Sequence, residues 1–394
     1  MNKHGKKLVV AIAAMMSAGF VGRASAGNVG QLGTIFVIAL ENHNFTQPAG
    51  QLGPQQLFNN PAAPYLNSLI TPGNANAVQT SYATNYTNAG NGVHPSEPNY
   101  IWAEAGTNYN KDTNTTITTD ADPSVAAKNI FTTTPHLTGQ MNAAGVSWTN
   151  YEEDYQVSGN GPTHSSSGTL PGGAVNPYYG TGQYNYAVKH NPMAFFTDTA
   201  TQNVAQISQL NTDLTNNTVS KYNWITPNQY NDMHSSLTGA FTYHGTAYTG
   251  DQSAVATGDN FLSQIVPQIE ASQAYKNNGA IIIWNDETEG GDTTGQTSTE
   301  IVISPLAVGN AFASNVAMNH SSDIATMEEL FGLGYLNNTI PANETAATGG
   351  YNTVSGSNDL SSLFQVGAVP EPASLSLIGI GAAGLMSRRR RRPA

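Results

Sequence analysis

Two short apolar runs, each ending in a pair of oxygen-bearing side chains, constrain this chain most. The run Thr34-Ile35-Phe36-Val37-Ile38-Ala39-Leu40 stops at Glu41-Asn42, and Ala280-Ile281-Ile282-Ile283-Trp284 stops near Asp286-Glu287. In a parallel α/β sheet, ligands bind at the carboxyl ends of the strands. If these two strands are neighbours, Glu41, Asn42, Asp286 and Glu287 converge on one point. Three carboxylates brought together repel one another unless a cation holds them. In the stretch between the strands lies Ser96, within His94-Pro95-Ser96-Glu97-Pro98-Asn99-Tyr100. A hydroxyl beside a bound cation is a candidate nucleophile, so the pattern is that of metal-assisted hydrolysis.

The rest of the chain fits a single α/β domain. Strand-like runs at 34–40, 146–148, 223–226, 280–284 and 300–304 are separated by longer helical or irregular stretches, the spacing of a mostly parallel sheet with helical crossovers. Leu262, Ile265, Val266 and Ile269 recur at helical spacing and predict a helix from Asp259 to Tyr275. A second helix is predicted over 323–332, with a polar cap at Ser321-Ser322 and Gly332 at its end. Residues 105–125 and 156–183 are rich in Gly, Asn, Thr and Ser and read as surface loops or lids. There is no cysteine, hence no disulfide and no thiolate metal site. No repeat is visible.

Both ends read as processing signals. Residues 1–26 have a basic start (Lys3, Lys6, Lys7), an apolar run from Leu8 to about Val21 and the small-residue site Ala24-Ser25-Ala26, as in a cleaved secretory signal. An uncleaved anchor is the plainer alternative, but a membrane span needs about 20 apolar residues. Between residues 27 and 369 the only strong bases are Lys111, Lys128, Lys189, Lys221 and Lys276, with no arginine. Five bases against 25 acids give that part a net charge of −20, compared with −12 for the whole chain. Such a surface disfavours nucleic acid and anionic membranes. Without arginine, an anionic substrate must be held by metal, amide donors or a helix N-terminus.

The C-terminus is more specific. Val369-Pro370-Glu371-Pro372-Ala373-Ser374 is followed by the apolar stretch Leu375–Met386 and then Arg388–Arg392. In motif and in order of parts this resembles the PEP-CTERM sorting signal of Gram-negative bacteria; a tail-anchor helix with a positive flank is the alternative. The resemblance implies export, handling by an exosortase, only transient membrane contact and delivery to the cell envelope or extracellular matrix. The expected organisation is a signal peptide (1–26), a catalytic domain (27–339), a polar linker (340–368) and the sorting signal (369–394).

Six segments, in order, resemble the phosphoesterase family that groups acid phosphatases with phosphatidylcholine-type phospholipases C, within the alkaline-phosphatase-like superfamily. They are Leu40–Phe45, His94–Tyr100, Gly145–Tyr151, Lys189–Pro192, Ile225–His234 and Trp284–Glu287, with a weaker seventh at Asn319–Ser321 leading into Glu328–Leu333. The resemblance implies an alkaline-phosphatase-like α/β/α sandwich with a mostly parallel central sheet. It also implies a phosphate ester substrate and a divalent metal ion (Ca, Mg, Mn or Zn). Glu41, Asn42, Asp286 and Glu287 match metal-binding positions, where a loop-start cap and a solvated turn are the plainer readings. Ser96 matches the nucleophile; its plainer reading is a helix N-cap. Asn99 matches an amide that donates to a phosphoryl oxygen.

The histidines are the open part. His94, His190, His234 and His320 all lie in family-like segments and are candidates for a second metal ligand, a leaving-group acid or a phosphate donor, with hydrogen-bonded structural histidines as the alternative. Asp232-Met233-His234 is the favoured group, with Asp232 a tentative metal ligand and His234 a catalytic candidate; His190 and His320 follow, His320 as a further tentative metal ligand, and His43 is expected only to adjoin the site. Many phospholipase-like members carry Asp-His after the second acidic pair. Here the run is Glu289-Gly290-Gly291-Asp292, which shifts the expectation toward phosphomonoester hydrolysis. The alternatives are a phospholipase C-type diesterase and a non-catalytic matrix protein that keeps the fold.

Overall fold

The structure is a computed structural model that describes residues 29–51, 56–88, 93–120, 129–155, 185–290, 294–336 and 358–365, with short strand pairs inside 157–175. The expected signal peptide and sorting signal lie outside the described residues. Eight strands form one sheet: β1 (Ile35–Leu40), β2 (Thr80–Ala83), β3 (Trp148–Glu152), β4 (Val204–Gln206), β5 (Tyr222–Thr226), β6 (Ala280–Asn285), β7 (Glu300–Ile303) and β8 (Phe312–Ser314). Their order is β4-β3-β5-β1-β6-β7-β2-β8. Only β7 runs against the rest, pairing antiparallel with β6 and β2.

Among the described residues, seven α-helices accompany the sheet: α1 (Pro64–Leu69), α2 (Ser96–Ala105), α3 (Leu137–Ala144), α4 (Ile207–Asn216), α5 (Asp251–Ala271), α6 (Gln273–Lys276) and α7 (His320–Phe331). Side chains on a strand alternate between faces, and every residue of β1 is buried, so β1 needs cover on both sides. Phe36, Ile38 and Leu40 share a core with Leu66 of α1, Leu210 of α4 and Leu262 of α5. Ile35, Val37 and Ala39 share the other with Ala103 of α2, Met141 of α3 and Met327 of α7. The expected α/β/α sandwich with a mostly parallel sheet is therefore what forms.

The strand expected at 146–148 begins only at Trp148. Gly145, at φ +70°, ends α3 in the left-handed conformation, and the Val146 amide still donates to Met141 O at 2.9 Å, so the helix exit occupies those residues. Strands β2, β4 and β8 had no apolar run to announce them; each is short and mixes polar with apolar residues. The helix predicted from Asp259 begins earlier, at Asp251, and is interrupted at Ser272, whose hydroxyl caps α6 through the Tyr275 amide. The linker expected over 340–368 needs correction at 358–365. There Leu360 and Leu363, eclipsed on one face of a 3₁₀ turn, and Phe364, extended just past its end, are buried in the same core as Ile35, Val37 and Ala39.

Candidate active site

The two strand-end motifs meet as the register requires. β1 and β6 are parallel neighbours with Leu40 opposite Asn285, so the next residues on each chain emerge side by side. The Asn42 amide donates to Asp286 Oδ1 at 3.1 Å, which ties the two strand ends together. Ser96 arrives from the other direction as the first residue of α2; the N-cap is Pro95, so the serine does not cap the helix. Its Oγ lies 2.9 Å from Glu41 Oε2 and 3.3 Å from Asn42 Oδ1, and its hydroxyl also reaches Asp286.

A second group of side chains closes the site from the β5 end. The Glu41 amide donates to Asp232 O at 2.7 Å, which sets the turn after β5 against the end of β1. His190 stands between them, with Nε2 3.2 Å from Glu41 Oε1 and Nδ1 3.2 Å from Asp232 Oδ2. Its ring stacks on Tyr100 of α2, with centroids 5.2 Å apart and planes at 18°. His234 follows from the same turn, its amide donating to Asp232 Oδ1 at 2.7 Å. Lys189 Nζ is 3.5 Å from His234 Nε2 and 2.9 Å from Asp120 Oδ2. The turn is seated closely: Met233 holds φ +82°, and a Cβ on Gly258 of α5 would lie 2.3 Å from its Cγ.

Electrostatics mark this as a strained assembly of charge. Glu41, Asp232 and Asp286 are completely buried, and each has its pKa pushed well above the usual carboxylate value, first by burial and then by neighbouring carboxylates. Burial drives His190 well below its ordinary value and His234 down to about 4, so both imidazoles are neutral. Burial works against the Lys189 ammonium too, but the fields of Glu41 and Asp120 outweigh it and raise its pKa. It is therefore the cation that the site has in place of arginine.

The donor set fits a divalent cation. Glu41 Oε1, Asp232 Oδ2 and Asp286 Oδ2 are buried without a hydrogen-bond donor in good geometry, a costly arrangement for carboxylates. Glu41, His190 and His234 each offer one ligand atom, all within 4.8 Å of one another. Buried oxygens with neutral imidazoles are ordinary metal ligands.

Other expected residues sit differently. Glu287 is turned toward His94, whose Nδ1 is in close contact with Glu287 Oε2. The Asn99 amide is engaged inside the protein, donating to Val93 O at 2.9 Å and Pro95 O at 3.2 Å, which holds the turn before α2. His320 offers no ring nitrogen to the cluster: Nε2 meets Asp286 O at 2.5 Å, and Nδ1 faces Tyr86 and Trp284; burial lowers its pKa to about 3. His43 adjoins the site as expected, bridging Glu41 O and Asp251. Sequence reasoning missed Asp120 and gave Lys189 no role. A signal for Lys189 was present, since it is one of only five bases between residues 27 and 369 and stands beside His190.

Residues 74–334 match the Phosphoesterase family, and residues 368–392 match the PEP-CTERM protein-sorting motif. The chain is 26% identical over 207 residues to a probable acid phosphatase of Kluyveromyces lactis, covering 51% of this chain but only 38% of that protein. It is 24% identical over 288 residues to a phosphatidylinositol-3-phosphatase of Mycobacterium tuberculosis, covering 72% and 76% of the two chains. Among solved structures, an alkaline phosphatase superfamily protein from Vibrio parahaemolyticus aligns over 78% of this chain and 69% of its own, at 12% identity and a TM-score of 0.44. The family match begins after Glu41 and Asn42 but takes in Ser96, His190, His234 and Asp286. Extending over well more than half of the chain, it makes this protein a member of the Phosphoesterase family.

Proposed function

We propose that this chain is an exported, metal-dependent phosphoesterase that hydrolyses phosphate monoesters through a phosphoserine intermediate. The observation that carries this reading is the placement of Ser96 Oγ at the start of α2, 2.9 Å from Glu41 Oε2 and within reach of Asn42 and Asp286. Glu41, Asn42 and Asp286 are the residues to hold a metal beside the nucleophile, with Asp232, His190 and His234 adjoining through Glu41. A bound divalent cation would supply positive charge that lowers the hydroxyl pKa and offsets charge on the phosphoryl oxygens.

The chain's own groups then have defined tasks. Ser96 directs its proton toward Glu41 Oε2, leaving oxygen lone pairs to attack phosphorus; the bond from phosphorus to the leaving alcohol breaks as the Ser96 ester forms. Lys189 offers its ammonium to a phosphoryl oxygen. His234, beside Lys189, hands a proton to the departing alcohol once a bound phosphate has raised its proton affinity. Water then attacks the phosphoserine, releasing phosphate and restoring the hydroxyl. Glu287 and Asn99 hold the turn that presents Ser96.

Monoesters are favoured over diesters because the Asp-His continuation of phospholipase-like members is absent at Glu289-Gly290-Gly291-Asp292. The sorting motif at 368–392 supports export and exosortase handling. The test is turnover of 4-nitrophenyl phosphate and bis(4-nitrophenyl) phosphate, with EDTA, metal add-back and Ser96→Ala alongside. Monoester turnover lost with EDTA and with Ser96→Ala is expected. A diester preference would move the assignment to the phospholipase-like branch, and no turnover with any divalent metal would favour a fold kept for binding. A phosphoinositide monoester belongs in the same assay, given the named activity of the mycobacterial relative.

A further inference from the structure

His320 is completely buried directly beneath the site, and its contacts fix its chemistry. Nε2 lies 2.5 Å from the backbone oxygen of Asp286. A carbonyl oxygen can only accept, so Nε2 must carry the hydrogen, and Nδ1 of the neutral ring is left as an acceptor. Two donors are available. Trp284 Nε1 is 3.0 Å from Nδ1, and the Tyr86 hydroxyl is 2.8 Å from it. The Tyr86 oxygen is also 2.5 Å from Asp323 Oδ2. Trp284 Nε1 is also 2.9 Å from the Tyr86 oxygen, so either Trp284 or Tyr86 supplies the hydrogen to His320 Nδ1; in both cases Nδ1 accepts and Nε2 donates to Asp286 O. The chain of contacts runs from α7 through the end of β6 to the Asp286–Glu287 turn.

The rest of that turn is anchored on either side of the Asp286 carbonyl: the Glu289 amide donates to Asn44 Oδ1 at 2.9 Å, and Glu289 O accepts from the Asn44, Gln51 and Gln296 side chains. The Asp286 amide donates to Leu40 O at 3.3 Å, a long bond, and the Asp286 carboxylate takes the Asn42 amide. The bond from His320 is the contact on the carbonyl of Asp286 itself, and so on the peptide that aims its side chain.

We propose that His320 is a positioning residue for the metal centre: it orients Asp286 through the backbone, in a fixed Nε2–H tautomer set by Trp284, Tyr86 and Asp323, and is not itself a metal ligand. The inference rests on the metal-centre reading above. It is distinct from that reading because the His320 contacts and the tautomer they fix can be measured without metal.

The test uses the purified full chain. ¹⁵N-detected histidine spectra of the apo protein should show His320 as the Nε2–H tautomer, and adding Mg²⁺ should leave its ring nitrogens near their apo shifts. Calorimetry with Mn²⁺ should give the same stoichiometry for wild type, His320→Ala and His320→Gln. Affinity should fall about 10- to 100-fold in His320→Ala, with partial recovery in His320→Gln, whose side-chain amide can still donate. Tyr86→Phe should weaken Mn²⁺ binding less than His320→Ala. Circular dichroism and thermal melts identify any variant that fails to fold, and Tyr86→Phe, which removes one oxygen, is the gentlest variant. A lost equivalent of Mn²⁺ in both His320 variants, or a large metal-induced shift of a His320 nitrogen, would make it a ligand and overturn the proposal. So would folded His320 variants that bind Mn²⁺ like wild type. A wild type that binds no divalent ion overturns the metal-centre reading together with this one.

Discussion

At the scale of single residues, the site is defined by what each buried group lacks. Glu41 faces Ser96 with one oxygen and His190 with the other, and only the first contact is a well-aligned hydrogen bond. Replacing Ser96 with Ala should leave the fold intact and reduce turnover on the order of 10³-fold or more, because the proposed nucleophile is lost and the binding groups remain. Lys189 belongs to a different class. It is the basic side chain that reaches His234, and its ammonium is sustained by Glu41 and Asp120. Lys189→Met should raise KM for 4-nitrophenyl phosphate roughly 10-fold, the cost of one charged hydrogen bond, with a smaller effect on kcat. An equal loss in both parameters would place Lys189 in the chemical step. The convergence of Ser96 with Glu41, on which their proposed roles rest, was legible from the strand-end pattern. That of Lys189 with Asp120 was not, because 69 residues separate the two partners and nothing local announces the pair.

At the scale of elements, the site depends on how helices are seated. α5 carries Gly258 under the turn that presents Asp232 and His234, and Met233 fills the space a Cβ would need. Gly258→Ala should displace that turn and cost about 1–3 kcal/mol, read as a lower Tm together with weaker metal binding. A melt unchanged from wild type would show that Met233 repacks freely. Asp259, the next residue, receives the Tyr65 and Leu66 amides at the start of α1, at 2.9 and 2.7 Å. Burial raises its pKa from 3.8 to about 6 despite those donors. The folded protein then keeps this proton over a range where the unfolded chain releases it, so the group's contribution to stability is full below about pH 4 and is lost as pH rises through about 6. Comparing denaturant unfolding of wild type and Asp259→Asn should reveal this as a difference of up to about 3 kcal/mol that changes between about pH 4 and 6 and is constant above. A difference that does not vary over that window rejects the assignment.

At the scale of the whole molecule, seven parallel strands deliver their carboxyl ends to one edge, and on the metal-centre reading the carboxylates gathered there oppose folding in the absence of a cation. Divalent metal should therefore raise Tm. Saturation at about 100 times Kd corresponds to about 2.7 kcal/mol of added stability, which EDTA removes. Glu41→Gln, which deletes one of the repelling charges, should melt higher than wild type in EDTA and respond less to metal. Equal responses in both proteins would argue that Glu41 is not at the binding point.

The sequence by itself determined the two central strands, the class of fold and the oxygen-rich motifs at the strand ends. Each of these is written in a contiguous stretch: unbroken apolar runs must be covered on both faces, and the residues that follow them are carried to a known edge. Tertiary structure alone decided which histidines reach the carboxylates. His190 and His320 occupy equally suggestive segments, yet one stacks on Tyr100 between Glu41 and Asp232, while the other donates to the Asp286 backbone from below. The difference is fixed by the packing of α2 and α7 on one face of the sheet, through contacts between residues far apart in the chain, which no local pattern encodes.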